Sequence, residues 1–187
     1  MSFETLLSIC LGLGLSAACG FRIFVPLLVV NLAARVGWVS LSGEFAWMGD
    51  SAALWAFGFA TVLEIGAYYV PWLDNFLDTV ATPAAMVAGA IVTASVVADL
   101  DPGLKWMLAV IAGGGVAGAV QTATVGGRVL SSITTAGLGN PVVATLELLS
   151  SFFLSIMSLL APLLAGLFVL ILLTLVWWLR RRRRRAA

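Results

Sequence analysis

Six stretches of the chain are almost free of charge: residues 3–21, 51–70, 79–98, 105–125, 141–158 and 162–179. Each approaches the roughly 20 apolar residues that a helix needs to cross about 30 Å of hydrocarbon. The pattern therefore predicts six crossings. Polar positions gather in the connections between them. The loop from Gly37 to Asp50 carries Trp38, Glu44 and Trp47, and Asp99-Leu100-Asp101-Pro102-Gly103 has the residues of a tight polar turn.

Two further segments are too short to cross as helices: Ile23 to Val36, interrupted by Pro26, and Val129 to Gly139, rich in Ser, Thr and Gly. Each is read as a bent continuation of the helix before it or as a re-entrant half-helix. Non-helical backbone at membrane depth is tolerated only where it is buried in protein or lines water. Each segment also follows an arginine. Gly20-Phe21-Arg22 precedes the first and Gly126-Gly127-Arg128 the second, with Leu63-Glu64 and Leu146-Glu147 further along. The chain reads as one unit built twice, repeat 1 at about 3–98 and repeat 2 at about 105–179, followed by a basic tail at 180–187. With three crossings per copy, the second copy would sit upside down, as in transporters with inverted repeats and sites near the midplane.

Composition fixes the class. Hydrophobic residues make up 61% and charged residues 10%, mean hydropathy is +1.09, and soluble domains carry about 25% charged residues. The expectation is an all-α polytopic membrane bundle forming a single membrane domain. Net charge is +1, yet six of the ten basic residues form the run Arg180 to Arg185. Such a run after a span stays cytoplasmic, and Trp177-Trp178 suits the interfacial aromatic belt. With six crossings, both termini are expected in the cytoplasm. Arg35 then falls outside unless its segment is re-entrant. The run also suits anionic lipid head groups, and nothing else in the chain suggests nucleic acid.

The N-terminal apolar run is not read as a signal peptide, because Glu4 stands where a positive region belongs. Cys10 and Cys19 fall on opposite faces of one helix and cannot pair. With no histidine and no Cys-x-x-Cys, no cofactor is implied. Gly113-Gly114-Gly115 and Gly118, with Gly12, Gly14, Ser16 and Gly20, read as surfaces for close helix packing. A phosphate-binding loop would need a preceding strand and usually a lysine.

Arg22, Glu64, Arg128 and Glu147 are the candidate binding or gating residues, since ionisable groups at membrane depth usually face the bundle interior or an aqueous cavity. A proton-coupled carrier or channel would use Glu64 and Glu147 as carboxylates that exchange protons in a low-dielectric site. In the alternative, the arginines snorkel to the head groups and the glutamates pair with them crosswise or within a copy. A second candidate is polar: Asp74, Asn75 and Asp78, where Asp74, Asp78 and Thr82 share a helical face. Oxygen ligands of this sort suit a hard cation; the alternative is a solvated cytoplasmic loop.

The runs Gly20-Phe21-Arg22-Ile23-Phe24-Val25-Pro26-Leu27-Leu28, Leu63-Glu64 through Pro71, Asp74 and Asp78, and Thr135-Ala136-Gly137-Leu138-Gly139-Asn140-Pro141 through Glu147 resemble bacterial membrane proteins grouped as domain of unknown function 4126. The resemblance covers about 3–165 and implies a small polytopic fold in the cytoplasmic membrane with no established activity. The chain departs from the pattern at Tyr69-Val70, where a basic residue is expected before Pro71, and at Leu148, where an acidic partner would follow Glu147.

The sequence thus points to movement of a small ion or solute through a site between the repeats. A structural or assembly protein, in which the charges lock helices together, is the first rival. A metal-dependent enzyme acting on a lipid head group through Asp74 and Asp78 is the second, ranked last because no nucleophile with a neighbouring base is visible. A homodimer is also within expectation.

Overall fold

The structure, a computed structural model, describes residues 2–186; for 71, 72, 74–76, 78, 176, 179, 180 and 182–186 it describes the backbone alone. Every regular element among the described residues is helical. Helix α1 (Phe3–Cys19) starts where the Ser2 hydroxyl accepts the Thr5 amide at 3.1 Å, an N-cap that satisfies one of the free donors of a first turn. Helix α2 (Phe24–Arg35) follows, then a 3-10 segment (Gly43–Gly49), α3 (Ser51–Ala67) and α4 (Pro71–Val96). Helix α5 (Pro102–Leu108), a π-helical stretch (Ala109–Gly114) and α6 (Gly115–Thr135) join into one rod of 34 residues. Helices α7 (Asn140–Leu160) and α8 (Pro162–Ala186) complete the bundle.

Three helical stretches are long and apolar enough to cross a membrane: Thr79–Val96, Pro102–Thr135 and Asn140–Leu160. Shorter apolar helices cover Phe3–Cys19, Phe24–Arg35, Ser51–Ala67 and Pro162–Leu175. Apolar side chains such as Trp55, Phe59, Ile133, Phe153 and Leu170 stand exposed on the outside, which in water would be a large unfavourable patch and in lipid is not. The chain is built as a membrane protein.

Helix α1 occupies the centre, packed against α4, α6, α7 and α8. Small residues set its spacing. A Cβ on Gly89 of α4 would lie 2.6 Å from the Ala117 Cβ, and one on Gly20 would lie 2.6 Å from the Ala117 carbonyl oxygen. The hydroxyl of Ser16 donates to the Gly113 carbonyl, where the π-helical geometry offsets the local hydrogen-bond ladder. Thr93 donates to the Gly12 carbonyl at 3.1 Å, and Ser151 to that of Ala18 at 2.9 Å. The glycines serve close packing, as the sequence indicates.

These contacts also fix direction. Along α1, Gly12 meets Thr93 and Val96, whereas Ser16 meets Gly89 and Gly113, and Gly20 meets Ala117 and Val120. Helix α4 therefore runs antiparallel to α1, and α6 runs parallel to it. The helix that leads into Arg22 and the helix that carries Arg128 point the same way, not upside down to one another as the repeat reading expects.

The two short segments also part company. Before the first segment α1 ends at Cys19, and α2 folds back, ending where Arg35 donates to Ser51 at 3.1 Å. Pro26 lies in the first turn of α2, where its missing N–H is tolerated. No break follows Arg128: α6 continues to Thr135. Thr134 and Thr135 return their hydroxyls to the Leu130 and Ser131 carbonyls at 2.9 and 2.7 Å, and no proline interrupts the ladder. The chain turns only at Ala136 and Gly137, both with positive φ (52° and 86°). The loop from Gly37 to Asp50 is anchored on the bundle at a few points. Phe45 and Met48 are buried, the Asn31 amide donates to the carbonyls of Met48 (2.6 Å) and Asp50 (3.1 Å), and Glu44 pairs with Lys105 at 3.1 Å.

Candidate functional site

The hairpin between α1 and α2 brings Arg22 to the point where α3, α6 and α7 converge. Arg22 and Arg128 are each only 2% exposed, so neither snorkels to a surface. Isolated buried charges cost several kcal/mol each, and the cluster shows how these are compensated. Arg128 grips Glu147 through two nitrogens, Nε at 3.1 Å from Oε1 and Nη2 on Oε2. This fork is the geometry for which a guanidinium is shaped. Arg22 reaches the same carboxylate at 3.5 Å and donates through Nη2 to the Ala144 carbonyl at 2.8 Å. Both arginines thus pair with Glu147.

Glu64 takes a different partner. Its Oε1 accepts the Ile23 amide at 2.8 Å and its Oε2 the Phe24 amide at 3.1 Å. Helix α2 has no side-chain cap of its own, so a carboxylate from α3 satisfies the first-turn donors and sits at the positive end of the helix. The hairpin at Gly20–Ile23 is thereby fastened to α3.

Tyr68 was not a sequence candidate, yet it holds the cluster together. It is buried, and the guanidinium carbons of Arg22 and Arg128 lie 3.8 and 4.0 Å from its ring centroid. Such contacts are worth about 2 kcal/mol or more when desolvated. The signal was present: Tyr68 lies four residues after Glu64 and so shares its helix face. Next to it, the Tyr69 hydroxyl meets that of Thr145 on α7 at 2.7 Å.

A pocket of about 880 Å³ opens between α3 and α4 and reaches this cluster. Leu63, Leu73, Leu77 and Val80 are among its walls, and Glu64 and Tyr68 are its polar side chains among the described residues. The other sequence candidates, Asp74, Asn75 and Asp78, have side chains outside the described residues. Among the described residues no group of three or more His, Cys, Asp or Glu is placed to hold a metal ion. Of the arginine run, Arg181 lies over the Trp177 ring at 5.1 Å. Cys10 and Cys19 are both free thiols.

Gln121 was also missed. It is buried on α6 two turns before Arg128, its Nε2 has no acceptor among the described residues, and Arg22 Nε and Nη1 are in the same condition. Nothing in the spacing alone marks a glutamine for attention.

Residues 9–182 match the family described as Domain of unknown function (DUF4126). No curated protein and no solved structure matches the chain.

Proposed function

This chain belongs to the family of domain of unknown function 4126, which carries no activity with it, and we propose from its geometry that it moves a small ion or solute across the bacterial cytoplasmic membrane. The observation that carries the reading is the gathering of Arg22, Glu64, Arg128 and Glu147 around one tyrosine, at the foot of a pocket between two helices. Ionisable groups inside a membrane bundle are rare and mark substrate and ion pathways. Tyr68 belongs both to the cluster and to the pocket wall, which suits it to gate one from the other. The Arg180–Arg185 tail would face the cytoplasm and its anionic lipid, and a homodimer remains compatible with the exposed apolar helices.

The experiment is flux in sealed proteoliposomes against protons, alkali cations, halides and small organic anions. Flux of one class supports the reading, and inserted, folded protein that passes none of them removes it.

A second reading is favoured by a specific feature: both carboxylates are fully engaged, Glu147 with two arginines and Glu64 with two amides. In that reading the cluster pins the α1–α2 hairpin to α3, α6 and α7, and the protein serves in assembly. The metal-dependent enzyme rests on Asp74 and Asp78 and gains no support from the described side chains.

A further inference from the structure

The four charges of the cluster are not equally compensated. Glu64 gives both its oxygens to amides at the positive end of α2, and Glu147 is taken in a fork by Arg128. Arg22 is left with a neutral carbonyl and a carboxylate 3.5 Å away that already serves Arg128. Its Nε and Nη1 are buried and find no acceptor among the described residues. The Tyr68 ring, 3.8 Å from the guanidinium carbon, offers these N–H groups no oxygen acceptor. A buried cation normally has a charged or hydrogen-bonding partner for each such group. Gln121, on the α6 face that also carries Arg128, adds another buried donor without an acceptor. The interior thus holds buried donors without acceptors among the described residues, two of them on one guanidinium, and neither a cation nor an apolar solute would satisfy them.

We propose that Arg22 binds a small monovalent inorganic anion, such as a halide or nitrate, through Nε and Nη1. The inference rests on the cluster being a solute site and names the class of solute, but it is tested by binding rather than by transport. The full chain in detergent is unfolded by heat at fixed ionic strength while sodium gluconate is exchanged stepwise for chloride, bromide or nitrate. A bound anion raises Tm saturably, by about 5–10 °C at roughly 100 times its Kd, while the bulky gluconate gives no protection.

Arg22→Lys keeps the charge and removes the Nε and Nη1 donors, so the saturable rise is lost or its midpoint moves at least tenfold higher. If that variant does not fold, the wild-type titration decides alone. A saturating, size-ordered response supports the site, and a Tm independent of the anion, or one that drifts without saturation, overturns it. An equal rise in folded Arg22→Lys also overturns it. Saturable protection without flux would sustain this site and defeat the transport reading; cation flux without protection would do the reverse.

Discussion

Replacing Glu147 by glutamine removes the carboxylate that both buried arginines share. Arg128 loses its charged fork and Arg22 its nearest anion, while both remain almost wholly inside. Breaking a buried pair by removing one partner costs about 3–5 kcal/mol, because the stranded charge stays buried. Glu64→Gln is milder. An amide oxygen still accepts one of the two α2 amides, so the loss is a single charge-assisted bond, about 1.5–3 kcal/mol. For a chain of this size about 2–4 °C of Tm corresponds to each kcal/mol, giving falls of about 6–20 °C for Glu147→Gln and about 3–12 °C for Glu64→Gln. Tryptophan fluorescence during thermal unfolding in one detergent reads both, since the chain has seven tryptophans. Combining Glu147→Gln with Arg22→Gln should cost less than the sum of the two, because one stranded cation is removed. The reasoning fails if Glu64→Gln lowers Tm more than Glu147→Gln, or if the double variant is strictly additive.

Two other substitutions probe the packing around the cluster. Tyr68→Leu discards the ring that faces both guanidinium groups and should destabilise by about 2–4 kcal/mol, whereas Tyr68→Phe, which keeps the ring, should lose less; denaturation midpoints of the two variants side by side give the comparison, and equal losses would remove the ring from the account. Gly14→Ala places a Cβ 2.8 Å from the Ala165 Cβ and against the Ser158 hydroxyl. Over-packing of this kind costs about 1–3 kcal/mol, while alanine at Gly58, whose Cβ meets nothing within 4 Å, should be neutral or slightly stabilising by thermal unfolding.

The membrane class and the four charged residues were legible because a charge is conspicuous in an apolar chain. The small residues of α1, Gly12 to Gly20, were legible as a packing face for the same reason. The direction of the helices was not, because hydropathy is the same read from either end. Only paired contacts such as Ser16 with Gly113 and Gly20 with Val120 reveal that α1 and α6 run together. The division of labour between the glutamates was hidden as well. Glu64 and Glu147 look equivalent in sequence, yet one lands on the open amides of α2 and the other between two arginines, an outcome decided by where the hairpin after Cys19 folds back. The unbroken α6 shows the limit of reading Ser, Thr and Gly as breakers, since their hydroxyls can return to the helix's own carbonyls.

The transport reading stands or falls on flux through sealed proteoliposomes of the wild type beside the Glu64→Gln, Glu147→Gln double variant, both shown to be folded and inserted at the assay temperature. The account predicts selective flux of a small ion in the wild type and its loss in the folded double variant. Equal flux in the two proteins would contradict a role for the buried cluster, and no flux in either would make the cluster a structural clasp.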